Sequence, residues 1–414
     1  MILNKNILWQ LLIIIYGLVL LLRSSFFLSY PALNFEYIVF YSLLLFSLIA
    51  GVCTTLIFFN SYNSQPLLAS PIPHVNPTAN KIIRYLAGVW FIVFIYYFWQ
   101  QKDLFLHKSL TQIRYDRMQQ ATSASYSGIL LDAFGFFCVI NFILDSLYTK
   151  SYVLRLRGGL FLLAYIAYNA LSGGRLGLLI TVVYIGMFYV LLGYWKKVPF
   201  KYKCILYLFF LIFIFYCADL FLQREAYRGR SIEEGIKNYI DTYYLSGSGK
   251  GEFNYILISF WVYLTHPVNE FYYTFMSHEP HWWGSYSFYK IFYLLAKLNL
   301  YDFNLSQLKV ISRVGVYRGL FGSVYIDFGI FSFVYLFVLG FFSAYFQMRF
   351  LISSHIKYFF IFCTFMLTLL WSPVFYVFNV ANGLSMLFCT LFYFLLSFFV
   401  IKKTSIGNCD EKSQ

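Results

Sequence analysis

Long apolar runs separated by short polar breaks dominate this chain. They lie near residues 7–22, 35–59, 82–100, 126–146, 158–173, 177–195, 203–221, 323–346, 358–373 and 383–401. Each approaches the roughly 20 residues that an α-helix needs to cross about 30 Å of hydrocarbon. The pattern predicts an all-α, polytopic integral membrane protein of about ten transmembrane helices. Its expected organisation is an N-terminal bundle of about seven spans over residues 1–221, a large loop over 222–322, and three further spans with a polar tail over 323–414. Within the loop, "FNYILISFWVYL" (253–264) is apolar but too short to span. A second stretch, "YSFYKIFYLLAKLNL" (286–300), sets Lys290 and Lys297 two helical turns apart on one face. Both stretches read as short re-entrant or interfacial helices. The segment "NSYNSQPLLASPIPHVNPTANK" (60–81) is a Pro/Asn/Ser-rich linker without a chemical motif.

Charge orients these spans. The breaks "TKSYVLRLR" (149–157), "YWKKVPFKYK" (194–203), "QMRFLISSHIK" (347–357) and the tail beginning "IKK" (401–403) are short and basic. The positive-inside rule therefore puts them, and both termini, on the cytoplasmic side. The first run has a lysine before it, Arg23 after it and no small-residue cleavage site, so it reads as a retained anchor. Two segments then face outward: about 101–125 and 222–322. Arg175, in "LSGGRLGLL" (171–179), is the only charge between Gly158 and Trp195. At mid-bilayer it would cost roughly 3 kcal/mol. With basic loops on both sides, it falls instead at the outer tip of a tight helical hairpin turned by Gly173 and Gly174.

Composition narrows the function classes. The chain is 60% hydrophobic and 12% charged, with a formal net charge of +14. No basic soluble domain is present to suit a nucleic acid, so none is expected as a partner. Six of the seven cysteines lie in apolar runs and Cys409 lies in the tail, which argues against a disulfide framework. No Cys/His cluster has zinc spacing, and the pair His278 and His281 lacks a matching ligand set, so neither metal nor cofactor is expected. The aromatic content, 23%, suits interfacial belts and also surfaces that stack on sugar rings.

The outward segments carry the chemistry. They hold Arg175, Arg224, Arg228, Arg230, Arg313 and Arg318, with Arg114 and Arg117 in the earlier loop. Guanidinium is always protonated and grips phosphate through two parallel hydrogen bonds. In "QREAYRGR", Arg224 and Arg228 are four apart and would share one helix face, while Gly229 lets Arg230 turn elsewhere. The set is a candidate clamp for an anionic headgroup, set against a bland alternative of snorkelling interfacial arginines. For acid–base work the candidates are His266, Glu270, His278, Glu279, His281 and Asp327. The tandem "HWW" (281–283) is either a sugar platform or an interfacial anchor.

This architecture resembles the Wzy-type oligosaccharide repeat-unit polymerases of bacteria, which build O-antigen or capsular polysaccharide. The resemblance rests on the many spans, the large outer loop in the second half, the Gly-flanked arginine hairpin "SGGRLGLL" and the returning segment "RGLFGSVYIDFGIFSFVYLF" (318–337). It implies a metal-independent glycosyltransferase of the bacterial inner membrane. Such an enzyme works at the periplasmic face on undecaprenyl-diphosphate-linked oligosaccharide, amid membrane lipids and with a chain-length regulator protein as partner. Arg175, Arg228 and Arg318 would then bind diphosphate, backed by Arg224, Arg230 and Arg313. His278, Glu279, His281 or Asp327 would supply the catalytic base. Two other readings remain open: an O-antigen ligase, which shares donor and arginines but delivers the glycan to lipid A-core, and a lipid-linked oligosaccharide flippase. The flippase predicts charges lining the mid-membrane and no large outer loop.

Overall fold

A computed structural model describes residues 6–24, 32–62, 73–102, 126–171, 175–197, 199–200, 203–204, 208, 252–277, 281–297, 300 and 318–404. Among them the regular elements are helices. The first group is α1 (Ile7–Arg23), α2 (Phe35–Tyr62), α3 (Pro77–Gln100), α4 (Tyr126–Phe134), α5 (Phe136–Tyr148), α6 (Tyr152–Leu171), α7 (Arg175–Leu191) and the single turn α8 (Tyr194–Lys197). The second is α9 (Glu252–Ser277), α10 (Tyr289–Lys297), α11 (Gly319–Phe328), α12 (Ser332–Ser353), α13 (Ile356–Trp371) and α14 (Ala381–Thr404).

The chain is a membrane protein. Four segments among the described residues are long and apolar enough to cross a bilayer: Phe35–Phe59, Pro77–Gln100, Gly319–Ser353 and Ala381–Phe399. The pair α4–α5 forms a fifth if taken as one span bent by 40°. Three shorter apolar helices, Ile7–Arg23, Leu176–Leu191 and Ile356–Trp371, coincide with other expected spans. The run expected at 203–221 lies almost wholly outside the described residues.

Two close approaches hold the bundle. At the crossing of α2 and α12, Gly51 leaves room for the carbonyl oxygen of Phe337, and Gly340 leaves room for that of Leu48. The backbones therefore touch, as small residues permit where lipid supplies no hydrophobic drive between helices. Ser47 donates to the Phe333 carbonyl (2.6 Å) and Thr55 to that of Phe341 (3.0 Å) across the same seam. The other is α13, apolar all round and buried along most of its length. Its Thr364 and Thr368 return their hydroxyls to carbonyls one turn back, at 3.1 and 2.9 Å. Thr364 also reaches Thr390 of α14 at 3.2 Å.

Three expectations change in detail. The apolar stretch 253–264 is not an isolated short helix: it is the first half of the 26-residue α9, which continues through Pro267. Trp261 of α9 donates to the Leu22 carbonyl at the end of α1, and Tyr37 near the start of α2 donates to the Val268 carbonyl. The segment expected to be loop thus packs onto the bundle. The expected span 323–346 belongs to two helices broken at Gly329 (φ +52). The expected span 126–146 is likewise two helices, meeting at Gly135, where the absence of a side chain leaves room for the ring of Tyr165.

At the end where α2 gives way to α3, part of the linker is anchored. His74 donates its N–H to the Ser354 carbonyl (2.7 Å), and Ile356 donates to the His74 carbonyl (3.0 Å). Asn76 then caps α3 by accepting from Thr78 and Ala79, with Pro77 opening the helix.

Gly51→Ala and Gly340→Ala are each expected to cost about 2 kcal/mol through overpacking. Gly186→Ala, which meets nothing within 4 Å, should be neutral or slightly stabilising. Thermal unfolding in detergent checks the contrast. The pairing of His74 with Ser354 and Ile356 is also expected to respond to pH. Burial, then Lys357 and His74, lowers the His355 pKa below its ordinary value. The folded state thus favours neutral His355. Its stabilisation is full above the unfolded value of about 6.5 and is lost as pH falls through the folded value. Amide protection factors at His74 and Ile356, taken relative to the intrinsic rate at each pH, should fall below about pH 6.5, and His355→Gln should flatten that dependence.

Candidate functional site

The bundle end where α1 finishes and α2 begins gathers a group of buried polar side chains. On α9, His266, Asn269 and Glu270 follow helical spacing and share one face. His266 Nε2 and Glu270 Oε1 lie 3.1 Å apart, and both residues are buried. Arg23, the last residue of α1, donates through Nε and Nη2 to Asn269 Oδ1 at 3.0 and 2.9 Å. This arginine held no place among the expected ligands, since along the sequence it is only a flanking charge.

Arg318 stands where α11 closes on α9. It precedes α11 and is only 7% exposed. A methyl group on Gly322 would lie 3.1 Å from Arg318 Cβ and 3.3 Å from Phe271 Cβ, so this glycine lets α11 and α9 close on one another. The guanidinium sits 5.8 Å from the centre of the Tyr286 ring. Burial raises the Tyr286 pKa above its ordinary value, while the Arg318 charge draws it back.

Asp327 holds Tyr286 in place. The segment "HWWGSYSF" (281–288) turns through Trp283 (φ +50) and Gly284 (φ +93). It docks on the end of α11, where helical carbonyls lack partners. Trp282 donates to the Ile326 carbonyl and Trp283 to that of Asp327, at 3.1 and 2.8 Å. The Asp327 carboxylate accepts from the backbone N–H of Tyr286 (2.9 Å) and of Ser287 (2.8 Å), one per oxygen. Both oxygens of this candidate base are engaged in shaping the turn. His281 lies on the exposed side with its ring over Gly329, where a side chain would collide with Nε2. Trp283 is exposed beside Phe331.

A connecting segment joins this cluster to the arginine hairpin. Leu320 donates to the Ser372 carbonyl (2.7 Å), and Ser372 accepts from Tyr16 (2.9 Å). From there the chain runs to Asn382, which donates to Asn169 Oδ1 (2.8 Å). Gly177, on the first turn of α7, leaves room for both amides. Helix α6 ends at Leu171 and α7 begins at Arg175, so the backbone of Arg175 stands at the same bundle end as Arg318. Comparison with family models, with curated proteins and with solved structures returned no match to this chain.

Of the expected site residues, the structure brings together Arg318 and Asp327 through Tyr286 and sets His281 on the same turn. His278, Glu279, Arg224, Arg228, Arg230 and Arg313 lie outside the described residues, as do Arg114 and Arg117. Among the described residues no group of three or more His, Cys, Asp or Glu is placed to hold a metal ion. Asn269, Tyr286, Ser372 and Asn382 enter from the structure; their contacts span hundreds of positions or depend on a turn, which hydropathy and spacing do not register.

Asp327→Asn leaves one acceptor oxygen for two backbone donors. Exchange of the Tyr286 and Ser287 amides should accelerate about ten-fold. Unchanged exchange with lost activity would instead assign Asp327 to proton transfer.

Proposed function

We propose that this chain is a polysaccharide polymerase. In this reading it joins oligosaccharide repeat units carried on undecaprenyl diphosphate into O-antigen or capsular polysaccharide. The reading includes a multi-pass protein of the bacterial inner membrane, with about ten spans and both termini in the cytoplasm. The observation that carries it is the buried Arg318, held against Tyr286 where α11 closes on the helix that bears the His266–Glu270 pair, at the bundle end where α7 opens on Arg175. A buried fixed cation and an acid–base pair at one end of the bundle suit transfer from a lipid diphosphate.

The acceptor sugar hydroxyl attacks the anomeric carbon of the donor glycan. The new C–O bond forms as the bond to diphosphate breaks, and the diphosphate leaves with the electron pair. Arg318 and Arg175, with Arg224, Arg228, Arg230 and Arg313 behind them, would neutralise that leaving group through bidentate hydrogen bonds. The hydroxyl proton passes to a base among His278, Glu279 and His281, or to the His266–Glu270 pair. Attack opposite the leaving group inverts the anomeric centre, by the geometry of inverting sugar hydrolysis with a hydroxyl in place of water. Asp327 acts in this scheme as a positioning residue, because its oxygens already hold the turn that carries Tyr286.

Deletion of the gene in its host, with the surface glycan resolved on a gel, tests the reading. Lipid core carrying a single repeat is the expected result. Core with no repeat at all would point to a ligase or a flippase, and an unchanged ladder would remove the chain from glycan assembly. Arg318→Lys keeps the charge and loses the planar fork. At normal protein level it should reduce polymerisation by about ten-fold or more.

A further inference from the structure

We propose that a second binding site, for an anionic phosphate group, lies at the opposite end of the bundle in the seam between α3, α5 and α6. The inference is independent of the reading above. On α5, Asn141, Asp145 and Tyr148 form one stripe by helical spacing. Asn141 is 1% exposed and Asp145 is 2% exposed. Arg84 of α3 pairs with Asp145 Oδ1, and Arg157 opens the buried part of α6 with its guanidinium 5.9 Å from the Phe161 ring. Gly158 brings α6 close: a methyl group there would lie 3.3 Å from Asp145 Oδ2 and 3.5 Å from Asn141 Nδ2.

This seam holds an unusual set of buried polar atoms without hydrogen-bond partners. They are Arg84 Nε, Asn141 Nδ2, Arg157 Nε and Nη2, the Tyr148 hydroxyl and Asp145 Oδ2. Buried polar atoms are nearly always satisfied, so a cluster of orphans marks a missing partner. Four of the six are nitrogen donors, and Asp145 Oδ2 is the single obligate acceptor. A water offers as many donors as acceptors and would leave much of this surplus unmet. A phosphate group, with acceptors only and negative charge, matches it. Two arginines against one carboxylate also leave the seam net positive. At its mouth the exposed Arg155 donates to the Thr149 carbonyl at 2.7 Å.

The flanks favour a lipid as the source of the phosphate. Val89 on α3 and Val153, Leu156, Leu160 and Leu163 on α6 are exposed apolar side chains. Acyl chains could lie along them while the headgroup enters the seam, as at basic pockets between membrane helices.

Thermal unfolding and native mass spectrometry of the purified full-length chain test the site, with phosphatidylglycerol, phosphatidylcholine and inorganic phosphate as probes. Phosphatidylglycerol should raise the unfolding temperature by roughly 3 °C at saturation and be retained as a bound mass, while phosphatidylcholine should do neither. Arg157→Gln, at a half-buried position, and Asn141→Leu, which replaces an orphan amide with an apolar group of similar size, should each raise the half-saturating concentration about ten-fold. An equal shift with inorganic phosphate supports the anion site and assigns it to free phosphate. No shift with either anion, or a shift that survives both substitutions, overturns the proposal.

Discussion

Phe136 donates its backbone N–H to Ser385 Oγ (3.3 Å), and that hydroxyl donates onward to the Ala133 carbonyl (2.9 Å). The exchange shows the constraint on which the rest of the structure depends. Inside a bilayer no solvent can take up a backbone group released by a broken helix, so the protein itself must receive it. At Gly135 the receiver is a serine from α14. At the end of α11 it is a turn whose amides meet two carbonyls and one carboxylate. At Gly319 (φ +65) it is the carbonyl of Ser372, taken by Leu320. Breaks are therefore where polar side chains collect, and the candidate site grows out of two of them.

The same constraint explains what could be read from the sequence. Apolar runs marked α2, α3 and α14 closely, because these helices expose long apolar faces and their composition states their environment directly. Helix α9 was read too short. Its second half contains Thr265, His266, Asn269 and Glu270, which lower hydropathy although all are buried against protein. A helix whose polar stripe faces protein looks like a loop to any averaging along the chain. Pro267 strengthens that impression, although a proline inside a membrane helix is tolerated when neighbours satisfy the freed groups.

For the site, single residues were legible and their assembly was not. Arg318 stood out by type and position, and Arg175 by its glycine-flanked isolation. Tyr286 did not, since its place depends on amides captured by Asp327, 41 positions away. The carboxylate itself invited a chemical role, because a sequence shows a charge but not the backbone groups that already occupy it. The seam at the other end was hidden for a related reason. Arg155 and Arg157 served to orient the chain, and a charge that explains topology draws no further attention.

The contact of Gly51 and Gly340 has a mechanical consequence. Backbones that touch cannot slide without first separating, so α2 and α12 form a stiff rail through the bundle. Helix α11 leans on that rail through the rings of Tyr325 against Phe40, Phe321 against Tyr41 and Phe328 against Tyr335, and its other end rests on the segment after α13. Arg318 and the Tyr286 turn, both carried by α11, are thereby held at a fixed place against the rail. One apolar stretch, turned at Gly329, thus supplies both the rail and the platform that carries the site.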